Sequence, residues 1–525
     1  MYRDIHSWAG IVCGLFLFTA FYAGAITMFE GAIDRWAAAP VALSPPPPLS
    51  ATPRLIEQVV ATHPDAGRQF DIIVEPGPEA PARLIWPADT AGANEDHGGP
   101  ARVFAASFGP DGTLEVASVG DSGAAQFVDT IHQQVGLPFE RDTALIFSGI
   151  IALLYAVALV SGLIVLLPSL IKDLFRFRFG RNFKRQWLDI HNAVGLFSLP
   201  FHVVMAVTTV VFAFHDQIYG TQDVVLYESR IEALWSRPPV SPHPADTPLL
   251  AADAIVARVE AAAPGFSAHR LAYRRLPNGR WALTVWGEDP RYANRAPEGG
   301  LLTVDPHDGA ILDASYRPGA TAGWQPAVTT FFALHFGSFG GPVIRWNYFA
   351  LGLAGAFLIY TGNILWVDGR RRRETRKGGR ESPTTGAMDR LTIGWMMGVM
   401  AGISLMVAAA KWLPALGVDP APWTETVFYM GFAACVGWAF LRPRARIGAE
   451  LFTACAVATV LVPLASLGAL AVPPVAWAHG GTAFWVDLGA GVGAIAFWAL
   501  ARRSGARAGA IADATRRARQ GFIGD

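Results

Sequence analysis

The sequence predicts a mainly α integral membrane protein: about eight transmembrane helices, in a duplicated four-helix core plus four extra helices, with two α+β modules outside the bilayer. Three observations predict it. Hydrophobic residues are 52% of the 525-residue chain, charged residues are 16%, and the mean hydropathy is positive, so most of the mass has the bilayer as its solvent. Eight nearly uncharged runs approach the ~20 helical residues that cross a hydrocarbon core of ~30 Å. Finally, "IHSWAGIVCGLFLF" from Ile5 and "IHNAVGLFSLPF" from Ile190 both open on Ile-His, with a glycine four residues after the histidine.

The runs cover 9–29, 143–168, 192–214 and 346–367, then 391–410, 426–441, 451–472 and roughly 482–500. The sixth is short and the eighth contains Asp487. The first continues into "TMFEGAIDRW" without a small-residue cleavage site, which reads as a retained anchor and not a signal peptide. Arg and Lys set the orientation, because short cytoplasmic loops carry their excess. The segments "KDLFRFRFGRNFKR", "GRRRRETRKGGR", "RPRAR" and "ARRSGARAG" all follow even-numbered spans, which puts both termini in the cytoplasm. The long polar segments then face the periplasm of a bacterial inner-membrane protein. In order, the chain reads as a first span (1–36), a first module (37–125), a second span with its cytoplasmic loop (126–186) and a third span (187–215). A second module (216–325), a fourth span with a basic loop (326–380), and four additional helices with a cytoplasmic tail (381–525) complete it.

Lys+Arg and Asp+Glu both number 42, so no global basic field points to nucleic acid. Cys13, Cys435 and Cys455 all fall in apolar runs and read as packing residues, not as a disulfide framework or thiolate metal site. The two polar segments are alike. Each has a Pro-rich linker ("SPPPPLSATP", "SRPPVSPHPADTP"), a helix-like stretch ("RLIEQVVATHP", "AADAIVARVEAAAPG") and a hairpin signal ("FGPDGTLEVAS", "VDPHDGAILDAS"). Spans two and four are each preceded by a histidine in an amphipathic stretch, "FVDTIHQQVGLPFERD" and "FFALHFGSFGGPVIRW". Span, outer module, span thus repeats in tandem.

A histidine in or beside a span is costly without a partner and marks function. His6 pairs with His191 by the repeat, and His132 with His335. Equivalent imidazoles facing across a two-fold axis suit the axial coordination of haem iron, one haem near each membrane face. Gly10 and Gly195 would remove side-chain bulk where a flat macrocycle lies against the helix. His202 breaks the symmetry. It follows His191 by 11 residues, which places it on the same helix face about 16 Å along the axis. At that spacing it would replace either His132 or His335 at the outer haem, with Pro200 distorting the helix locally. Arg3, Arg141, Arg185 and Arg345 are candidates to pair haem propionates; for Arg3 and Arg185 plain positive-inside anchoring competes. Trp8, Trp187 and Trp346 stand close enough in sequence to line a haem. His63, His97, His243, His269 and His307 lie in the modules, His215 at a span end and His479 in a loop; all seven read as ordinary solvent-facing or interfacial histidines.

The elements "IHSWAGIVCGLF", "DIHNAVGLFSLPFHVV" and "LHFGSFGGPVIRWNYFALGLAGAFLIYTGNILW" resemble the PepSY-associated transmembrane family, over about residues 1–368. The outer segments resemble PepSY domains. The resemblance implies b-type haem and one-electron reduction of a ferric siderophore in the periplasm. The electron donor would be a cytoplasmic flavin-type reductase or a membrane quinol, since no GxGxxG follows a strand and "GAGVGA" lies inside an apolar helix. No residue is assigned a catalytic role. Two other readings stand beside the reductase. One is a siderophore or metal transporter, suggested by the repeat and by Lys411 and Asp487 near the extra helices; the other is a PepSY-type regulatory or peptidase-inhibiting protein without redox activity.

Overall fold

The apolar run after His6 forms one uninterrupted helix, α1 (Tyr2–Thr27), because it holds no proline to remove a backbone donor. It is followed by the short α2 (Glu30–Ala37) in a computed structural model that describes residues 1–38, 43–77, 82–87, 103–119, 122–169, 183–226, 240–292, 299–320, 325–376, 379–471 and 482–521. Most of the basic segment 172–185, part of the second Pro-rich linker, His97 and His479 lie outside the described residues. The chain forms two compact units. One comprises Met1–Ala38, Ser122–Val207 and Phe349–Asp525; the other comprises Ala39–Asp121 and Thr208–Tyr348.

The first unit is helical. It contains α1, α2, α4 (Ala124–Gln133), α5 (Arg141–Leu166), α6 (Phe183–Phe197), and parts of α7 (Leu199–Ala213) and α11 (Gly341–Arg376). The extra helices are α12 (Pro383–Ala415), α13 (Thr424–Leu441), α14 (Arg444–Ala471) and α15 (Thr482–Gly521). Seven helices are long and apolar enough to cross a membrane, and the pair α6/α7 makes an eighth when taken as one broken span. The chain is therefore a multi-pass membrane protein. The third run, expected as one helix, bends by 65° at Ser198. Pro200 is the reason: its ring nitrogen cannot donate to the carbonyl a turn earlier, so the helix restarts at Leu199.

In lipid, helices associate by close packing rather than by hydrophobic burial, and small residues permit it. A Cβ on Gly352 of α11 would lie 2.9 Å from Ala25 Cβ on α1, so these two backbones nearly touch. The extra helices use the same device more heavily. Gly394, Gly398 and Gly402 recur every fourth residue on α12, and a Cβ at each would sit 2.9–3.0 Å from Ala439, Val436, Phe432 or Phe428 of α13. α12 is tied to the core where Trp395 Nε1 donates to Thr19 Oγ1 at 3.0 Å. The three cysteines are buried and free, as packing residues should be. At one end of the unit the basic turns are neutralised: Asp389, which is buried, takes Arg371 Nη2 at 3.3 Å and Arg444 Nε at 2.5 Å, linking α11, α12 and α14.

At the other end of those helices sits a buried polar cluster. Lys411 is 2% exposed; its Nζ donates to Ser466 Oγ at 2.9 Å and lies 4.1 Å from the centroid of the Trp36 ring. Asp487 Oδ1 accepts from Ser466 Oγ at 2.9 Å and from Trp36 Nε1 at 2.7 Å. A hydrogen-bonded chain thus runs from α12 through α14 to α15, with α2 as its lid. Removing one member leaves the opposite charge poorly compensated, so Lys411→Met is expected to cost about 3 kcal/mol, read as a lower unfolding temperature in detergent. The double variant Lys411→Met/Asp487→Asn is expected to recover most of that loss.

The second unit is built on a sheet. Its strands are β1 (Gln69–Ile73), β2 (Leu84–Pro87), β3 (Val103–Phe108), β4 (Leu114–Val119), β5 (Ser267–Arg275), β6 (Trp281–Glu288), β7 (Gly300–Val304) and β8 (Ile311–Asp313). All pair antiparallel in the order β4-β3-β2-β1-β5-β6-β7-β8. The two outer segments, expected as separate modules, therefore share one sheet. The physical reason is the edge: β1 and β5 would each expose a row of unpaired backbone groups, and their pairing removes both edges. Phe70 and Tyr273, directly opposite across that junction, stack at 4.8 Å. Helices α3 (Thr52–Thr62) and α9 (Ala252–Ala262) bury Leu55, Val59, Ile255 and Val259 in the same apolar core. The unit also holds α8 (His215–Val225) and α10 (Gln325–Phe336).

Candidate functional site

His6 stands one turn into α1, and its Nδ1 lies 2.8 Å from the backbone oxygen of Ala158 on α5. A carbonyl only accepts, so Nδ1 carries the hydrogen and Nε2 keeps its lone pair. The ring reaches that carbonyl because Gly162 has no side chain: a Cβ there would lie 2.8 Å from His6 Nδ1. His191 on α6 meets α11 in the same manner. Its Nδ1 is 3.0 Å from Thr361 Oγ1, whose own hydrogen goes to Leu358 O at 2.8 Å, so the imidazole is again the donor. A Cβ on Gly362 would lie 3.2 Å from His191 Cε1.

His132 on α4 packs against α1. Its Nδ1 is 2.8 Å from Ala20 O, and a Cβ on Gly24 would lie 2.7 Å from its Cε1. His202 is the most enclosed of the five at 1% exposed. Tyr155 OH of α5 bonds its Nδ1 at 2.6 Å, Phe21 and Phe201 flank the ring, and Gly355 of α11 leaves room for Cε1. Its Nε2 is buried without a hydrogen-bond partner. His335 belongs to the other unit, where its Nδ1 lies 2.7 Å from Thr208 Oγ1 and its ring meets Phe212 edge-on.

All five candidate histidines thus have Nδ1 engaged by a neighbouring helix. Four of the five, His6, His132, His191 and His202, are gathered in one unit, and His202 touches α1, α5 and α11 together. The expected glycines behave differently from one another. A Cβ on Gly10 would meet nothing within 4 Å, whereas one on Gly195 would touch Leu358 at ordinary contact distance. Arg3 and Arg345 are exposed, and with Arg141 they hold no ion pair among the described residues; Arg185 is also exposed. Trp8 is 60% exposed and meets Trp366 edge-on, Trp187 lies beside Phe357, and Trp346 is exposed. An apolar cavity of about 340 Å³ runs beside His191 between α6 and α11, lined by Ile190, Val194, Phe197, Leu351 and Ala354 among others.

Sequence reasoning found the histidines and missed what holds them. The signal was present: "VSGLIVL" of the second span and "YTGNILW" of the fourth place Ser161-Gly162 and Thr361-Gly362 alike, and both glycines admit an imidazole.

Broken and unbroken apolar helices in one unit and an antiparallel sheet in the other, with histidines seated on glycines of neighbouring helices, define a multi-pass membrane protein with a histidine-lined bundle. The chain belongs to the PepSY-associated TM region family, whose model matches residues 3–368. Among curated proteins none matches the chain.

Proposed function

We propose that this protein is a haem-containing inner-membrane reductase that passes electrons across the bilayer to a ferric siderophore in the periplasm, releasing Fe(II) for uptake. The observation that carries the reading is the common posture of the five histidines. Each has Nδ1 within hydrogen-bond distance of a protein partner, and at His6, His132 and His191 Nδ1 is the donor, the arrangement by which proteins orient a metal-ligating imidazole and raise the basicity of Nε2. His202 Nε2 is a buried nitrogen with nothing to bond, which an iron ligand would satisfy.

Two b-type haems would be held by these residues, one by His6 and His191, the other by His202 together with His132. A haem bound by two imidazoles would supply one-electron transfer. The chain does the rest. Gly162, Gly362 and Gly24 let the rings seat against their helices, and Tyr155 fixes the orientation of His202. Arg3, Arg185, Arg141 and Arg345 offer cations for propionates. The likeness of the Ser161-Gly162 and Thr361-Gly362 seats supports a tandem duplication of span, outer segment and span. On that reading the sheet is formed by two PepSY-like halves in the periplasm, with both termini cytoplasmic. A siderophore prefers the harder ferric ion, so reduction frees the metal. Electrons come from a separate cytoplasmic flavin-type reductase or from quinol.

The purified chain is expected to show a Soret band and a dithionite-induced α-band, with two haems per chain by pyridine haemochrome. Reduced protein is expected to pass one electron to the iron of a ferric siderophore, giving free siderophore and Fe(II), which a ferrous chelator captures under anaerobic conditions. A preparation from a haem-sufficient host without those bands refutes the reading. The buried chain Lys411–Ser466–Asp487 favours a second reading, transport. Uptake of labelled siderophore into proteoliposomes without reductant would support it.

A further inference from the structure

Three metal-ligating side chains converge in the sheet unit. The turn between β7 and β8 supplies Asp305 and Asp308, and the segment leading to α9 supplies His243. His243 Nε2 lies 3.4 Å from Asp308 Oδ2 and 4.0 Å from Asp305 Oδ2, and one ligand atom from each of the three lies within 4.8 Å of the others. The sequence reads His243 as an ordinary solvent-facing histidine; the fold gives it two carboxylates.

Asp305 is the informative member. It is 1% exposed, and its Oδ1 accepts the His307 N–H at 2.8 Å, yet its Oδ2 is buried with no hydrogen-bond partner. A buried carboxylate oxygen without a donor is unfavourable unless a cation reaches it. A surface ion pair between His243 and Asp308 accounts for the 3.4 Å contact and leaves Asp305 Oδ2 unexplained. Ligand atoms each about 2.0–2.2 Å from one ion stand roughly 3–4 Å apart, as His243 Nε2 stands from each of the two carboxylates.

The frame is also preset. Gly309 takes a positive φ of 71°, its N–H bonds Asp305 O at 2.9 Å, and Ala310 N–H holds Asp308 Oδ1 at 2.8 Å. Ser241 Oγ accepts the His243 N–H at 3.1 Å.

We propose that His243, Asp305 and Asp308 form a binding site for an exchangeable first-row divalent cation. One imidazole and two carboxylates, with no thiolate, suit Zn²⁺, Fe²⁺ or Mn²⁺ rather than Cu⁺. His243 and Asp308 are partly exposed, which leaves coordination positions for water and a path for exchange. The site is argued from the sheet unit alone and stands whether or not the membrane unit carries haem.

The test uses the untagged full-length chain, stripped with a chelator, titrated with Zn²⁺ by calorimetry and with Mn²⁺ by the loss of free-ion EPR signal. One ion per chain is expected at this site. His243→Ala, Asp305→Asn and Asp308→Asn are each expected to weaken it at least about tenfold. Without metal, Asp305→Asn is expected to unfold at the parent temperature or above, because the uncompensated charge is gone; a purely structural Asp305 would give the opposite. Asp308→Asn, on the surface, serves if the buried variant does not fold. No binding by the parent, or a loss below tenfold in the folded variants, overturns the proposal.

Discussion

Replacing His191 by alanine is expected to remove about one haem per chain and leave the other, and His6→Ala is expected to do the same. On the proposed ligation each substitution would remove one iron-binding nitrogen, while its Nδ1 partner, Thr361 Oγ1 or Ala158 O, stays in place. The lost hydrogen bond costs only about 1 kcal/mol, so the fold survives and haem content reads the ligand directly. The check is a pyridine haemochrome assay on chains purified at matched yield, with reduced-minus-oxidised spectra to show which α-band goes. The double variant His6→Ala/His191→Ala is expected to lose no more than either single one, because both nitrogens serve one iron. Full haem content in both single variants would refute the pairing. Loss of two haems in the double variant would place the histidines on different sites.

The spans were legible because one solvent imposes them. A backbone in hydrocarbon satisfies itself as helix whatever the sequence does elsewhere, so counting apolar residues located the same segments that the structure shows as helices. In the third span Pro200 marked a local distortion, where the structure has a full break with a 65° bend. What failed to show was anything fixed by meeting between distant segments. That β1 pairs with β5 depends on Phe70 finding Tyr273, and nothing local in either strand announces a partner so far along the chain. The same holds for His243, whose carboxylates arrive from a turn that reads only as a hairpin. The spacing of Gly394, Gly398 and Gly402 is a helix-packing pattern in the sequence itself, but which helix it receives is set only by the fold. Of the histidine site, the ligand candidates were visible from the repeat, while their seats required knowing which helix lies opposite.

Those seats provide the sharpest separation of ligand from ordinary packing residue. Gly162→Ala is expected to reproduce the haem loss of His6→Ala without touching a histidine. Its Cβ would lie 2.8 Å from His6 Nδ1, closer than real contacts allow, so the ring must leave the Ala158 carbonyl or the helices must part. Overpacking of this kind costs about 1–3 kcal/mol, read as a lower unfolding temperature of the haem-free protein. Gly362→Ala is expected to act in the same direction and more weakly, since its Cβ would stand 3.2 Å from His191 Cε1 and a few tenths of an ångström of movement relieves it. Gly10→Leu supplies the contrast. A Cβ there meets nothing within 4 Å, so the haem-free protein should unfold at the parent temperature, while a macrocycle lying along α1 beside His6 would be displaced. Haem loss with unchanged apo-protein stability in Gly10→Leu, set beside haem loss with lowered stability in Gly162→Ala, is the pattern that a haem gripped between α1 and its neighbours requires. Unchanged haem content in both would mean that His6 is seated against α5 for packing alone.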